Sequence, residues 1–92
     1  MYRVVFTHQF KKDFRKIIKQ GKSEDVLRDV ISTIAAGKKL DLKYKDHQLE
    51  GNYKGFRECH IETDWLLIYM LNSKELILTA VRTGTHSELL KL

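Results

Sequence analysis

Apolar residues recur along this chain with two different periods, and the switch between them divides it. At the start, Tyr2-Arg3-Val4-Val5-Phe6 is rich in β-branched and aromatic residues, the composition of a strand. Thr7 can then cap a helix. From His8 to Gln20 the apolar positions Phe10, Phe14, Ile17 and Ile18 fall at helical spacing, and Gly21 is a natural stop. Lys11, Lys12, Arg15, Lys16 and Lys19 cover the other face, which is the default for a surface helix before it is a nucleic-acid footprint. Ser23, followed by Glu24 and Asp25, opens a second helix through Leu27, Val30, Ile31 and Ile34 that ends at Gly37. Two amphipathic helices joined by Gly21-Lys22 make a hairpin whose apolar stripes need a sheet to cover them.

The C-terminal half of the chain supplies that sheet. Residues Phe56 to Ile61 read as a strand, with polar and apolar residues alternating from Glu58, and Glu62-Thr63-Asp64 is a polar turn. Trp65 to Leu71 is a nearly unbroken apolar run, suited to a central strand buried on both faces. Asn72-Ser73-Lys74 turns the chain into a third antiparallel strand, Glu75 to Thr83, and a short tail from 84 to 92 packs Leu89, Leu90 and Leu92 back on the sheet. Between Lys38 and Gly55 no period stands out. That stretch reads as a long basic loop in which Lys38, Lys39, Lys43, Lys45 and Lys54 interleave with Tyr44 and Tyr53. Such a loop suits an RNA backbone with stacked bases, or else it is docked by Leu40, Leu42 and Leu49 with its charges solvated. The order β-α-α-β-β-β predicts an α+β fold, a helical hairpin on a small, mainly antiparallel sheet, in a single domain spanning 1–92.

Composition narrows the function. Seventeen Lys and Arg against twelve Asp and Glu give a net charge of +5, which favours a polyanionic partner without distinguishing nucleic acid from an acidic protein. No apolar run is long enough to span a bilayer, and Met1 to Phe6 is too short for a signal peptide's apolar region, so a cytoplasmic protein with no membrane partner is expected. Cys59 is the only cysteine, which excludes an intrachain disulfide. On a strand it reads as a small core hydrophobe, and His60, its neighbour, points to the opposite face.

What remains is acid–base chemistry. Cleaving RNA without a metal needs a base for the 2′-hydroxyl proton, an acid for the departing 5′-oxygen and a cation for the charge that builds on phosphate. Histidine serves either proton role near neutral pH, and arginine holds two phosphate oxygens with one rigid fork. His47, His60 and His86 lie in or beside the loop and strands that would flank one concave face, while His8 stands apart at a helix start. Each residue also has a plain structural use: a histidine is commonly a hydrogen-bonded surface residue, Arg57 and Arg82 can pair with Glu58 or Asp64, Asp64 suits a turn, and Trp65 can anchor a core. Arg57, Lys45 and Lys54 are candidate substrate contacts. No CxxC or HxxxH spacing supports zinc, no glycine-rich phosphate loop is present, and no GxSxG elbow points to a serine hydrolase, so neither a metal nor a cofactor is expected.

Three segments, Tyr44 to His60, Asp64 to Tyr69 and Arg82 to Leu89, are similar to the YafQ branch of the RelE/ParE toxin superfamily. They occur in that family's order over about the last half of the chain. The resemblance implies a type II toxin, an mRNA interferase that cuts translated messages in the ribosomal A site. It also implies a cognate antitoxin of the RelB/DinJ kind, with operator DNA reached only through that antitoxin. By motif position the functional set is His47, His60, Asp64, Arg82 and His86, with Trp65 a supporting neighbour. His86 is then the general acid and Arg82 the phosphate clamp, His60 and Asp64 are both open as the base, and His47 positions the substrate instead. Where the family pattern has a phenylalanine four residues past the final histidine, this chain has Leu90. If that aromatic stacks on a base, cleavage here is weaker or differently selective; if it packs the tail, leucine is a benign exchange. ParE-like relatives that bind DNA gyrase without cutting RNA are the alternative.

Overall fold

A computed structural model describes residues 1–90, the side chain of Leu90 excepted. The expectation for Leu92, and for Leu90 as a substrate contact, therefore lies outside the described residues. The helical hairpin forms as the periodicity predicts, with α1 at His8–Lys19 and α2 at Glu24–Ala35. Thr7 and Ser23 cap them by accepting from the backbone N–H groups of Phe10 and Val26.

The strands are β1 (Arg3–Phe6), β2 (His47–Gln48), β3 (Arg57–Glu62), β4 (Trp65–Asn72) and β5 (Ile77–Gly84), followed by a short helix α3 (His86–Leu90). They form one sheet in the order β1-β5-β4-β3-β2, antiparallel except that β1 runs parallel to β5. Three details differ from the sequence reading. The basic stretch is not uniformly irregular: it holds β2 and two 3₁₀ turns, Leu42–Tyr44 and Gly51–Tyr53. It is docked by Leu40 and Leu49, while Leu42 is 85% exposed. The third strand begins at Ile77, because Leu76 takes a left-handed backbone conformation (φ 55°) that extended pairing does not permit.

β4 lies at the centre of the sheet, and its first five residues are all buried, which accounts for the unbroken apolar run. Its side chains feed two cores. Trp65, Leu67 and Tyr69 join Cys59, Ile61, Leu78 and Ala80 beneath α1 and α2, against Phe10, Ile17, Leu27, Val30 and Ile34. Leu66 and Ile68 face the other way and are covered by Leu89 of α3 with Leu49, Phe56 and Val81. Gly84 permits this cover, since a Cβ there would lie 3.2 Å from Leu89 Cδ2 and its φ of 154° disfavours a side chain.

Candidate active site

Period-two alternation decides which residues share the second face. Cys59 is in the helix-side core, so Glu58 and His60 point to the other side. Pairing then lines up His47 (β2), Glu58 (β3), Ile68 (β4) and Arg82 (β5) in one row, with His60, Leu66 and Gly84 in the next. Adjacent strands lie about 4.8 Å apart, so the Arg82 backbone is two spacings, roughly 10 Å, from that of Glu58. A β-bulge brings Arg82 into the row. Tyr69 pairs with Ala80 but Ile68 pairs with Arg82, leaving Val81 as the extra residue that resets the alternation.

Three imidazoles gather there. The His60 ring lies 6.4 Å from that of His47 and 5.5 Å, edge-on, from that of His86. Between them sits Glu58, its side chain only 4% exposed, with Oε1 at 3.6 Å from His47 Nε2 and 3.4 Å from His60 Nε2. Each contact is an ion pair when the imidazole carries two protons. Glu58 Oε2 is buried with no hydrogen-bond partner among the described residues, an uncommon condition for a carboxylate oxygen. His47 Nδ1 is 2.6 Å from the carbonyl oxygen of Lys45, which aims Nε2 at Glu58. Asp64, in the β3–β4 turn, accepts from the backbone N–H of His86 at 3.3 Å, and its Oδ1 is 3.6 Å from His86 Nδ1. That contact leaves His86 Nε2 for a substrate atom.

Arg82 is not paired with Glu58 or Asp64, as the sequence suggested, but with Asp13 of α1. Asp13 accepts from Nε and Nη2, both at 3.0 Å, and from the backbone N–H of Thr83 at 3.2 Å. The reason lies at the sheet edge. β1 pairs with β5 only as far as Ala80, and beyond that point side chains take over: the Thr7 hydroxyl donates to Val81 O and Asp13 receives the Thr83 N–H. The Asp13 carboxylate also raises the Arg82 pKa further. Arg57 is likewise turned from its expected role. Alternation places it on the helix side of β3, where Asp46 accepts from Nε and Nη2 and also from the Tyr69 hydroxyl. Burial, then this Asp46 contact, pushes the Tyr69 hydroxyl pKa upward.

Trp65 also leaves the site. It is 1% exposed, and its indole N–H donates to Thr83 Oγ1 at 2.8 Å, so it is a core residue beneath the row rather than a substrate neighbour. Lys45 and Lys54 are exposed and have no ion-pair partner among the described residues. Cys59 is fully buried, and burial, aided by Asp46 and Glu58, pushes its thiol up to about 12, which removes it as a nucleophile near neutral pH.

Glu58, His60 and His86 each offer a ligand atom, all within 4.8 Å of one another, a set that can hold a transition-metal ion. Their spacing in sequence hides this, because two come from one strand and the third from α3. Two residues that sequence reasoning left out now matter. Glu58 was legible through its i, i+2 relation to His60. Asp13 was legible as an acid on the apolar stripe of α1, at i+3 from Phe10 and i−4 from Ile17.

A family model described as the YafQ bacterial toxin of type II toxin–antitoxin systems matches residues 2–91. The chain belongs to the YafQ toxin family. Among curated YafQ proteins, the mRNA interferase toxin YafQ of Escherichia coli K12 is 39% identical over 88 residues, covering 94% of this chain and 92% of that protein. Among solved structures, a metal-bound toxin from Helicobacter pylori superposes with a TM-score of 0.91 at 40% identity, covering 97% of this chain and 99% of that one. The E. coli DinJ–YafQ complex superposes with a TM-score of 0.86 at 36% identity, covering 97% and 98%. The α+β architecture expected from the residues is thus the YafQ fold, a mixed five-stranded sheet with three helices.

Proposed function

We propose that this protein is a ribosome-dependent endoribonuclease that cleaves translated mRNA by metal-independent acid–base chemistry in the cytoplasm. The observation that carries this reading is the grouping of three imidazoles around one buried carboxylate, with Arg82 in the same row of the sheet. In the reaction, the 2′-oxygen attacks phosphorus as a base removes its proton, the P–O5′ bond breaks, and an acid protonates the leaving 5′-oxygen. The products are a 2′,3′-cyclic phosphate and a 5′-hydroxyl. His86, oriented by Asp64, is the acid. Arg82 holds the phosphoryl charge with the N–H groups that Asp13 leaves free. The base is His60 or Asp64; the Glu58 contact favours His60 by fixing its ring, and His47 positions the chain.

The test is to induce the wild-type protein and a His86→Ala variant in cells and map mRNA 5′ ends at nucleotide resolution. New ends in phase with codons, seen for wild type alone, are the expected result. Toxicity without such ends, together with cleaved DNA, points to the gyrase-binding alternative. For metal independence, a chelator that binds zinc and copper but spares the magnesium that ribosomes require is expected to leave cleavage on programmed ribosomes unchanged.

The inhibitory partner is a DinJ-like antitoxin, in keeping with the complexes of related toxins. An apolar groove of about 600 Å³ supports a partner that is both apolar and acidic. It is lined by Val4, Phe6, Phe10, Phe14, Leu27 and Ile31, with Lys11, Arg15 and the Arg28–Glu24 ion pair beside it, and Phe6 is 43% exposed at the open edge of the sheet. No helix among the described residues is long and apolar enough to cross a membrane.

A further inference from the structure

Next to the histidine row, α1, the end of β5 and α3 enclose a second, polar cleft of about 410 Å³, whose walls include Lys12, Asp13, Lys16, Arg82, Ser87 and Glu88. Two features connect it to the site. Arg82 belongs to both, and Ser87 directly follows His86. Its charges are arranged rather than merely mixed. Asp13 holds one side of the Arg82 fork through Nε and Nη2. Glu88 pairs with Lys16 and accepts from the backbone N–H and hydroxyl of Thr85. Lys12 has no ion-pair partner among the described residues.

Each carboxylate therefore fixes a cation without using up its donors. A guanidinium has five N–H groups, of which Asp13 takes two; an ammonium has three, of which Glu88 takes one. Three cations face two carboxylates already committed to partners. The cleft is one positive charge in excess, and the cations that line it, from α1 and β5, keep N–H groups that the two carboxylates do not take.

We propose that this cleft binds a backbone phosphate of the RNA strand adjoining the scissile phosphate, with Lys12 and Lys16 as its ligands and Arg82 shared between the two positions. The inference rests on the RNA-cleaving reading and adds a direction to it: the strand leaves the histidine row past His86 and enters between α1 and α3. Lys19 and Lys74 lie outside both this cleft and the apolar groove and serve as a charge-matched control.

The probe is a 2′-O-methyl RNA trinucleotide, which cannot be cleaved because the attacking hydroxyl is blocked. It is titrated into ¹⁵N-labelled full-length protein over a range of salt, for wild type, the Lys12→Ala/Lys16→Ala double variant and the Lys19→Ala/Lys74→Ala control. In wild type, amide shifts are expected at Lys12, Asp13, Lys16 and Ser87 as well as at His60 and His86. The cleft variant should bind about tenfold more weakly, as expected for losing charge-assisted hydrogen bonds. Its salt slope should fall by about 0.7, the value for one phosphate contact on a single strand, while the control stays close to wild type. Shifts confined to the histidine row, or two double variants that weaken equally, overturn the cleft assignment and leave the nuclease reading in place. Absence of trinucleotide binding by wild type also overturns it, and the nuclease reading is then decided separately by the mapped mRNA ends.

Discussion

Two aspartates hold two arginines, one pair on each side of β4, and the pairs play different parts. Asp13 reaches Arg82 across 69 residues, its side chain only 9% exposed, and also closes the β5 edge through the Thr83 N–H. Asp46 reaches Arg57 across 11 residues, is 26% exposed, and gathers in the Tyr69 hydroxyl. The first joins a helix to the sheet, where backbone pairing with β1 has run out. The second ties down the loop immediately before His47. Both use the same bidentate chemistry, yet Arg82 faces the histidine row with donors to spare, whereas Arg57 points to the helix side. What separates a functional arginine from a structural one here is its place in the strand's alternation.

If that contrast is right, Asp13→Ala should be the most damaging single change. It strips a buried partner from Arg82 and leaves the Thr83 N–H unsatisfied, for a cost of about 3 kcal/mol. Urea unfolding should show the midpoint falling accordingly, and cleavage should fall with it, because Arg82 loses its orientation. A variant that stayed near wild-type stability would show that the sheet edge is closed by other means. Asp46→Ala should cost less, about 1–2 kcal/mol, since its partners are nearer solvent. Its distinguishing effect is on catalysis: under conditions where the variant is fully folded, cleavage should still be reduced, because His47 is no longer set against Glu58. Equal losses of stability and activity in the two variants would dissolve the distinction.

The aspartates also mark where sequence reasoning reached and where it stopped. The hairpin of α1 and α2 and the strands β3 to β5 were legible because their apolar positions keep a period, and a periodic face must be buried. The histidines were legible as residue types. The partners of the arginines were not, because pairing such as that of Arg82 with Asp13 over 69 residues leaves no local trace, and Glu58 and Asp64 were the nearer candidates for both arginines. The bulge at Val81 was equally hidden: one extra residue in β5 moves Arg82 from the helix side to the histidine row, and no property of Val81 announces it. Trp65 and Arg57 were misplaced for the opposite reason. Proximity in sequence to His60 and Asp64 suggested a shared site, but alternation puts them on the other face.

Tyr69→Phe sharpens the second clamp with a smaller change. The hydroxyl is lost while Arg57 and Asp46 remain paired, so stability should drop by about 1 kcal/mol, measured by urea unfolding. His47 should keep its place, and cleavage should stay within a factor of a few of wild type. A large loss of activity would mean that the tyrosine, rather than the aspartate, fixes the loop.

The smallest effect belongs to a third pair, Lys16 with Glu88, which sits beside the Asp13 clamp but is open to water. Lys16, followed by the Thr85 backbone N–H, lowers the Glu88 carboxyl from 4.5 to about 2. Because the folded value lies below the unfolded one, the stabilisation is complete above the unfolded value and is lost as pH falls from about 4.5 toward 2. Lys16 is 60% exposed, so solvent screening holds the contribution to less than about 1 kcal/mol. Urea midpoints of wild type and Glu88→Gln, compared from pH 6 down, should therefore differ slightly at the top of the range and converge at the acid end. A gap of several kcal/mol would place Glu88 with the buried clamps, and burial would no longer explain why Asp13 matters more.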